Sequence, residues 1–173
     1  MMKELQETKG MKTLKELYRI GHGPSSSHTM GPRKAAHLYG ERHPEAASFR
    51  VTLYGSLAAT GKGHMTDVAI IEALSPRRVE LLWEPKIVLD RHTNGMLFEA
   101  VDLQGKAYDP WTVFSVGGGA LAGEGIVQHE SPDIYEMSRL SQILGWCERT
   151  GHNYWEYVEQ CEESDIWDYL SEV

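Results

Sequence analysis

Two polar loops hold the residues of this 173-residue sequence that are best suited to chemistry. The first loop, Gly21 to Pro32, places three consecutive serines, two histidines and a threonine among glycines and prolines. That composition indicates a bent loop rather than a helix or strand. Its short hydroxyl side chains can line a concave surface that binds a ligand. A Ser-rich connector that only caps the next helix is the competing interpretation.

The second loop, Gly55 to Asp67, combines glycines with Lys62 and His64 just before a predicted helix. Backbone N–H groups at a helix start and the charge of Lys62 attract an anion, and a small carboxylate fits as well as a phosphate. The positive helix end favours a neutral imidazole, so His64 can accept a proton. Asp67 can cap the helix or orient a ligand. A helix-entry histidine without any task is the alternative.

Familiar phosphate-binding patterns do not fit the second loop. Counted from Gly55, the second glycine of a P-loop would fall on Thr60, and Lys62 is followed by Gly63 instead of Ser or Thr. The G-x-G-x-x-G pattern of dinucleotide-binding proteins is absent as well, and so is the G-x-S-x-G elbow of acyl-transfer enzymes. The hypothesis that the chain is an unrelated phosphate-binding domain is therefore weak.

A metal site within the chain has little support. His28, His64 and His92 are the candidates for a three-histidine site, but no two of them have the spacing of a metal-binding pair. The two cysteines, Cys147 and Cys161, occupy apolar-periodic positions and are expected to be buried thiols. Two cysteines cannot supply the thiolates of an iron–sulfur cluster.

Composition and charge indicate a soluble globular protein. The formal net charge is −8 and no Lys/Arg cluster occurs, which argues against nucleic-acid binding. No run of about 18 apolar residues occurs, so no membrane span is expected, and the N-terminus does not resemble a signal peptide. We therefore expect a cytoplasmic protein whose first ten residues are a disordered extension.

The predicted elements alternate between helices and strands up to residue 130. Periodicity predicts helices at Met11–Ile20, Arg33–Arg42 and Met65–Leu74, with a helical turn at Ser56–Thr60 that Gly61 and Gly63 break. The predicted strands are Ser48–Tyr54, Met96–Leu103, Tyr108–Val116 and Gly125–His129.

Three local features refine these element predictions. Residues 78–90 are ambiguous, Pro110 indicates a sheet edge or a bulge, and Gly31 and Pro32 suit the N-cap and first position of a helix. The fold class is therefore α/β or α+β, with a mixed sheet flanked by helices over residues 11–130. Residues 131–173 are predicted to form two or three short helices, a linker with exposed aromatic side chains.

Four stretches resemble a known family, the iron–sulfur-dependent bacterial L-serine dehydratases. The stretches GPSSSHTMGPRKAA (Gly23 to Ala36) and YGSLAATGKGHMTD (Tyr54 to Asp67) are similar to two signature stretches of its beta domain. The similarity extends to His92, Asn94 and Met96 and to FSVGGG (Phe114 to Gly119). The segment from Tyr135 resembles the start of the catalytic region in single-chain members.

The resemblance implies a β-elimination that converts L-serine to pyruvate and ammonia. It also implies a [4Fe–4S] cluster, held by a catalytic domain or alpha subunit outside this chain, without which the chain would be inactive. The resemblance implies that the catalytic residues of this sequence are His64, as the general base that removes the α-proton, together with Lys62 and Asp67. The residues implied to bind substrate are Ser25, Ser26, Ser27, His28, Thr29, Thr60 and Asn94.

Three further points concern the Thr93 loop, an alternative function and the oligomeric state. Thr93 stands where many members carry proline, which puts the position of that loop in doubt. The beta domain also resembles the anion-binding regulatory domain of a serine-pathway dehydrogenase, so a module that binds serine or another carboxylate without catalysis is the alternative function. We expect a homo-oligomer, because the aromatic tail needs a partner surface.

Overall fold

The computed structural model describes residues 10–17, 19–126 and 131–173. Of the predicted disordered extension, all but Gly10 lies outside the described residues. The same holds for Tyr18 and for residues 127–130. Among the described residues, none of the helices is long and apolar enough to cross a membrane.

The chain folds as two compact units. One unit is formed by residues 21–128, and the other joins residues 1–20 to residues 129–173. Residues 11–20, which we expected to belong with the sheet, are therefore grouped with the C-terminal segment.

Seven strands occur in the described residues, and five of them form one mixed sheet with the order β3-β2-β4-β5-β6. Strand β2 is parallel to β3, whereas the other neighbours in this sheet are antiparallel. The strands are β1 (Met11–Lys12), β2 (Ser48–Tyr54), β3 (Arg78–Glu84), β4 (Gly95–Val101), β5 (Ala107–Gly117), β6 (Ala120–Gly123) and β7 (Asp133–Tyr135).

The helices confirm most of the predicted helical segments. In the sheet-bearing unit, a π-helical turn at Ser26–Met30 runs directly into α2, and a 3-10 turn at Gly61–His64 follows α3. The helices are α1 (Leu14–Leu17), α2 (Gly31–Arg42), α3 (Gly55–Thr60), α4 (Thr66–Leu74), α5 (Leu140–Thr150), α6 (Tyr154–Cys161) and α7 (Ile166–Glu172). A mixed sheet flanked by helices and followed by short helices is confirmed.

The main core lies between the sheet and the helices of the same unit. The alternating residues Phe49, Val51 and Leu53 of β2 face this core, as the period-2 pattern predicts. The small residues Ala35 and Ala36 of α2 are completely buried, because they let the helix approach the sheet closely.

Tyr39 of α2 is the buried polar anchor of this core. Its side chain is fully buried, its hydroxyl donates to the carbonyl of Asp109, and it accepts from the N–H of Ala100 at 2.9 Å. Burial raises the pKa of Tyr39 to about 12, so the hydroxyl keeps its proton at neutral pH. The predicted irregularity at Pro110 is confirmed as a bulge, because the β4–β5 register shifts between Phe98 and Ala100.

The Ser-rich loop is not irregular, which corrects one expectation. Ser26–Met30 forms a π-helical turn, and the helix after it begins at Gly31 with Met30 as its N-cap. A side chain takes the place of a regular backbone hydrogen bond here, since the Ser25 hydroxyl accepts the N–H of His28. Gly61 and Gly63 tighten the second loop into a 3-10 turn instead of ending helical structure.

Two other element predictions are also wrong in part. Met11–Ile20 contains a short strand paired with β7 and only one helical turn, because strand pairing takes up its first residues. The last strand of the sheet is Ala120–Gly123, after the glycine turn, and Gly125 lies in a turn. The remainder of the predicted strand, 127–129, lies outside the described residues. The ambiguous segment contains strand β3.

The second unit is held by a small aromatic cluster and one buried carboxylate. Tyr135, Ile143 and Tyr157 form the cluster, and both cysteines pack against it, half-buried instead of fully buried as expected. Glu162 accepts hydrogen bonds from Thr13 Oγ1 at 2.6 Å, from the N–H of Leu14 at 2.7 Å and from the Tyr135 hydroxyl at 2.6 Å. These bonds outweigh burial and lower the pKa of Glu162.

Replacing Tyr39→Phe should lower the free energy of unfolding by about 1–3 kcal/mol, because it leaves the buried N–H of Ala100 unpaired and removes the bond to the carbonyl of Asp109. Urea denaturation followed by circular dichroism measures this loss. Tyr108→Phe is the matched control, since the Tyr108 hydroxyl bonds to the exposed Glu45 and its loss should cost less than about 1 kcal/mol. Equal losses in the two variants would contradict the role of Tyr39.

Replacing Glu162→Gln should lower the free energy of unfolding of the second unit by about 2 kcal/mol at neutral pH. The carboxylate's contribution is complete above its ordinary pKa of 4.5 and is lost as the pH falls through the lower pKa of the folded state. The stability difference between the two proteins should therefore shrink in acid. Glu163→Gln removes only an exposed ion pair with Lys15 and serves as the control. A difference that is independent of pH would refute this explanation.

Candidate functional site

The two polar loops meet in the sheet-bearing unit and bring two histidines together. The rings of His28 and His64 lie with centroids 4.9 Å apart, tilted by 41°. Two threonine hydroxyls tie the loops to each other. Thr29 donates to the carbonyl of His64 at 2.7 Å, and Thr66 donates to the carbonyl of His28. The position of each histidine is therefore set by the backbone of the other loop.

His28 has a hydroxyl on each side of its ring. Its Nδ1 lies 2.9 Å from Ser27 Oγ, and its Nε2 lies 3.2 Å from Ser56 Oγ. A neutral imidazole has one donor and one acceptor nitrogen, and a hydroxyl can serve either one. His28 is therefore the centre of a Ser–His–Ser chain of hydrogen bonds along which a proton can be exchanged.

Ser56 is held in this chain by the start of α3. Its N–H donates to the carbonyl of Thr93 at 3.1 Å. Gly55 makes this approach possible, because it has φ +49° and a Cβ there would lie only 2.5 Å from the same carbonyl. The position of the Thr93 loop, which the sequence left in doubt, is thus defined by its contact with α3.

His64 presents a free ring nitrogen. Its Nδ1 lies 3.0 Å from the carbonyl of Thr60, and a carbonyl can only accept, so Nδ1 carries the proton in the neutral ring. Nε2 then carries the lone pair, and it has no hydrogen-bond partner among the described residues. A half-buried imidazole with a fixed tautomer and an unoccupied lone pair is suited to accept a proton.

The surroundings of His28 disfavour its charged form. Burial is the main cause that lowers the pKa of His28, and the nearby imidazole of His64 lowers it further. A positive charge on one ring thus opposes a second charge on the other.

The hydroxyls of the first loop divide into structural and accessible ones. Ser25 caps the π turn. Thr29 is 4 % exposed, and its hydroxyl donates a hydrogen bond to the second loop. Ser26 is exposed, and Ser27 is half-buried beside the His28 ring. Of the five predicted substrate contacts in this loop, Ser26, Ser27 and His28 are therefore the side chains best placed to meet a ligand.

The remaining predicted site residues of the second loop are engaged locally. The Lys62 ammonium lies 5.5 Å from the ring centroid of Trp83, and Asp67 accepts the N–H of Val68. The Thr60 hydroxyl donates to the carbonyl of Ser56 inside α3. Among the described contacts, neither Lys62 nor Asp67 hydrogen-bonds to His28 or His64.

Asn94 and Ser115 form a buried pair where β4 and β5 meet. The N–H of Ser115 donates to the carbonyl of Asn94 at 3.0 Å, and Asn94 Nδ2 donates to the carbonyl of Ser115 at 3.2 Å. Ser115 Oγ lies against Gly31, where an added Cβ would overlap it. The start of α2 therefore needs glycine because this serine lies directly beneath it.

The sequence analysis assigned no role to three residues that the structure places at or beneath the site, namely Ser56, Thr66 and Ser115. Each lies within a stretch that carries the family resemblance, so the resemblance could have indicated them as candidate site residues. Their roles depend on contacts with residues 28 to 84 positions away, which local spacing does not reveal. His92, considered as a metal ligand, instead accepts the N–H of Asn94. Within the described ranges, no three His, Cys, Asp or Glu side chains are grouped to hold a metal.

The sequence of this chain is similar to that of one protein family and to several known proteins. The family described as serine dehydratase beta chain matches residues 13–82, which include both polar loops. The chain is 37 % identical to an L-serine dehydratase of Streptomyces coelicolor, aligned over 79 % of this chain and 40 % of the relative. It is 35 % identical to one of Mycobacterium bovis, over 78 % and 39 %. It is 28 % identical to L-serine dehydratase 1 of Escherichia coli, over 83 % and 41 %.

Residues 13–82 match the serine dehydratase beta chain family and the relatives are L-serine dehydratases, so the resemblance that the motifs predicted is confirmed. The chain spans about 40 % of the length of the curated relatives it matches. Asn94 and Ser115 lie beyond the segment that the family description matches.

Removing the neighbouring ring should raise the pKa of His28. In the wild-type chain, a pH titration of ring resonances by NMR should place the pKa of His28 below its ordinary value of 6.5. His64→Gln should move it upward, although not fully to 6.5, because burial is the larger cause. His37→Gln replaces an exposed histidine of α2 and should leave the pKa of His28 unchanged. An unchanged pKa in the His64 variant would show that the rings do not interact.

Proposed function

We propose that this chain is the beta domain of an L-serine dehydratase and supplies substrate-binding and acid–base groups for the conversion of L-serine to pyruvate and ammonia. The observation that carries the proposal is the free Nε2 lone pair of His64 beside the Ser–His–Ser chain of His28. Both features lie within the segment that matches the serine dehydratase beta chain.

The reaction needs a base for the α-proton and a way to release hydroxide. Abstraction of the α-proton leaves an electron pair that forms the Cα–Cβ double bond, and the Cβ–O bond breaks. The hydroxide takes up a proton and leaves as water. The resulting aminoacrylate tautomerises to an imine, which water hydrolyses to pyruvate and ammonia. Since L-serine carries its own carboxylate, the site must also bind an anion close to the base.

His64 is the group of this site best suited to remove the α-proton. Its tautomer is fixed by Thr60, so Nε2 is an acceptor without any rearrangement of the ring. The accessible hydroxyls of Ser26 and Ser27 can donate to the substrate carboxylate next to it. Lys62 contributes long-range positive charge from its place over Trp83, so its expected role at the reacting atoms is less direct than that of His64.

The residues of this chain do not fit the [4Fe–4S] cluster that the family resemblance implies. Such a cluster needs several thiolates, whereas the sequence has two cysteines. Both pack against the aromatic cluster of the second unit, and burial raises the pKa of the Cys161 thiol. We therefore assign the cluster to a catalytic region outside this chain and derive no step of the reaction from it.

Replacing His64→Asn in the complete enzyme, with this chain joined to its catalytic region, should lower kcat for pyruvate formation by about 10²–10⁴-fold, since the general base is lost. The measurement is anaerobic pyruvate release from L-serine, with the absorption spectrum of the enzyme recorded alongside. His37→Asn, an exposed change on α2, is the control and should keep wild-type turnover.

Two results would count against the proposal. Near-normal turnover in the His64 variant would exclude it as the base. If the chain binds L-serine but turnover does not depend on His64 or His28, the chain is a regulatory module that binds serine or a carboxylate. Two measurements, L-serine binding and the turnover of the His64 and His28 variants, therefore separate the alternative function from the proposed one.

A further inference from the structure

Two polar atoms beneath the first loop have no partner. Asn94 Oδ1 and Ser115 Oγ are both buried, and among the described residues neither makes a hydrogen bond. Asn94 is 7 % exposed and Ser115 is completely buried. A buried polar atom without a partner destabilises a fold, so such atoms are uncommon and call for a physical explanation.

The hydrogen bonds that Asn94 and Ser115 already make determine which of their polar atoms are still free to bind a ligand. The Asn94 amide cannot be flipped, because Nδ2 donates to the carbonyl of Ser115 and an oxygen there would face another acceptor. The two backbone N–H groups are also used, one by His92 Nδ1 and one by the carbonyl of Asn94. An amide oxygen and a hydroxyl remain, and together they form an acceptor-rich surface.

This surface lies directly under the polar loop. Ser115 Oγ touches Gly31, the residue into which the π turn runs, and an added Cβ on Gly31 would also lie 3.5 Å from the carbonyl of Ser26. The same loop carries the hydroxyls of Ser26 and Ser27 and the imidazole of His28, which can donate hydrogen bonds. Donors in the loop and acceptors beneath Gly31 match the two charges of an α-amino acid, a carboxylate and an ammonium.

We propose that Asn94 Oδ1 and Ser115 Oγ form the subsite for the ammonium group of an α-amino acid ligand. The subsite makes the chain select α-amino acids over acids of the same length that lack the amine. An ammonium donates three hydrogen bonds and accepts none, so it needs acceptors of this kind when it leaves water. This inference rests on the proposed function, and it adds Ser115 to the residues that contact substrate.

The ammonium reaches the subsite when the π turn moves. The turn is bonded in the i→i+5 register, since Met30 N–H donates to the carbonyl of Ser25 and Gly31 N–H to that of Ser26. A π turn of this kind can change register within a helix, and such turns are frequent at functional sites. Because the turn continues into α2, such a change would move Gly31 relative to Ser115.

The test compares L-serine with 3-hydroxypropionate, which keeps the carboxylate and hydroxyl but lacks the amine. Binding of both acids to the 173-residue chain is measured by NMR titration for the wild type, Ser115→Ala and the control Val116→Ala, an exposed change on the same strand. Ser115→Ala should weaken L-serine binding by about tenfold or more and leave 3-hydroxypropionate binding unchanged. Val116→Ala should bind both acids as the wild type does.

Thermal denaturation of the same variants separates binding from folding. The Ser115 hydroxyl has no partner in the ligand-free chain, so Ser115→Ala should not lower the melting temperature. Equal weakening of both acids, or no change for L-serine, would overturn the ammonium subsite while leaving the proposed function in place. If the wild-type chain, alone and joined to its catalytic region, binds no L-serine, the proposed function itself fails.

Discussion

Two threonine hydroxyls connect the loops on which the site depends. Thr29 reaches the carbonyl of His64 and Thr66 reaches that of His28, so each loop supplies the anchor for the other. Both threonines are buried, and a buried hydroxyl without a partner is costly. Because both anchors end at the backbone of a histidine, they place the imidazoles themselves. The contact between the two rings, through which His64 adds to the lowering of the pKa of His28, depends on this reciprocal attachment.

The sheet and its helices provide a rigid base for these loops. Small residues of α2 allow close packing on the sheet, and Tyr39 joins α2 to β4 and the β5 bulge through its hydroxyl. The first loop precedes α2 and the second precedes α4, so both loops are attached to helices of the same core. The buried Asn94–Ser115 pair lies at the adjoining ends of β4 and β5. The polar groups that we assign to the ligand therefore surround the start of α2.

Local patterns predicted the elements with strong periodicity. Strand β2, helix α4 and the bulge near Pro110 were predicted from alternation, helical period and the missing N–H of proline. The prediction was wrong where side chains substitute for regular backbone bonds. The Ser26–Met30 segment has the composition of a loop, yet capping by Ser25 makes it a π turn. Residues 11–20 have a helical pattern, but pairing with Asp133–Tyr135 makes part of that segment a strand.

The sequence by itself determined the family resemblance, the fold class and the two polar loops to which we assign the chemistry, because these are properties of residue type and order. Only the tertiary structure decided which members of each loop are available. It showed Thr29 and Thr60 engaged in structural bonds, gave His64 a free Nε2, and brought Ser56 and Ser115 to the site. The physical reason is that hydrogen-bond availability depends on partners distant in the chain, and spacing along the chain contains no information about them.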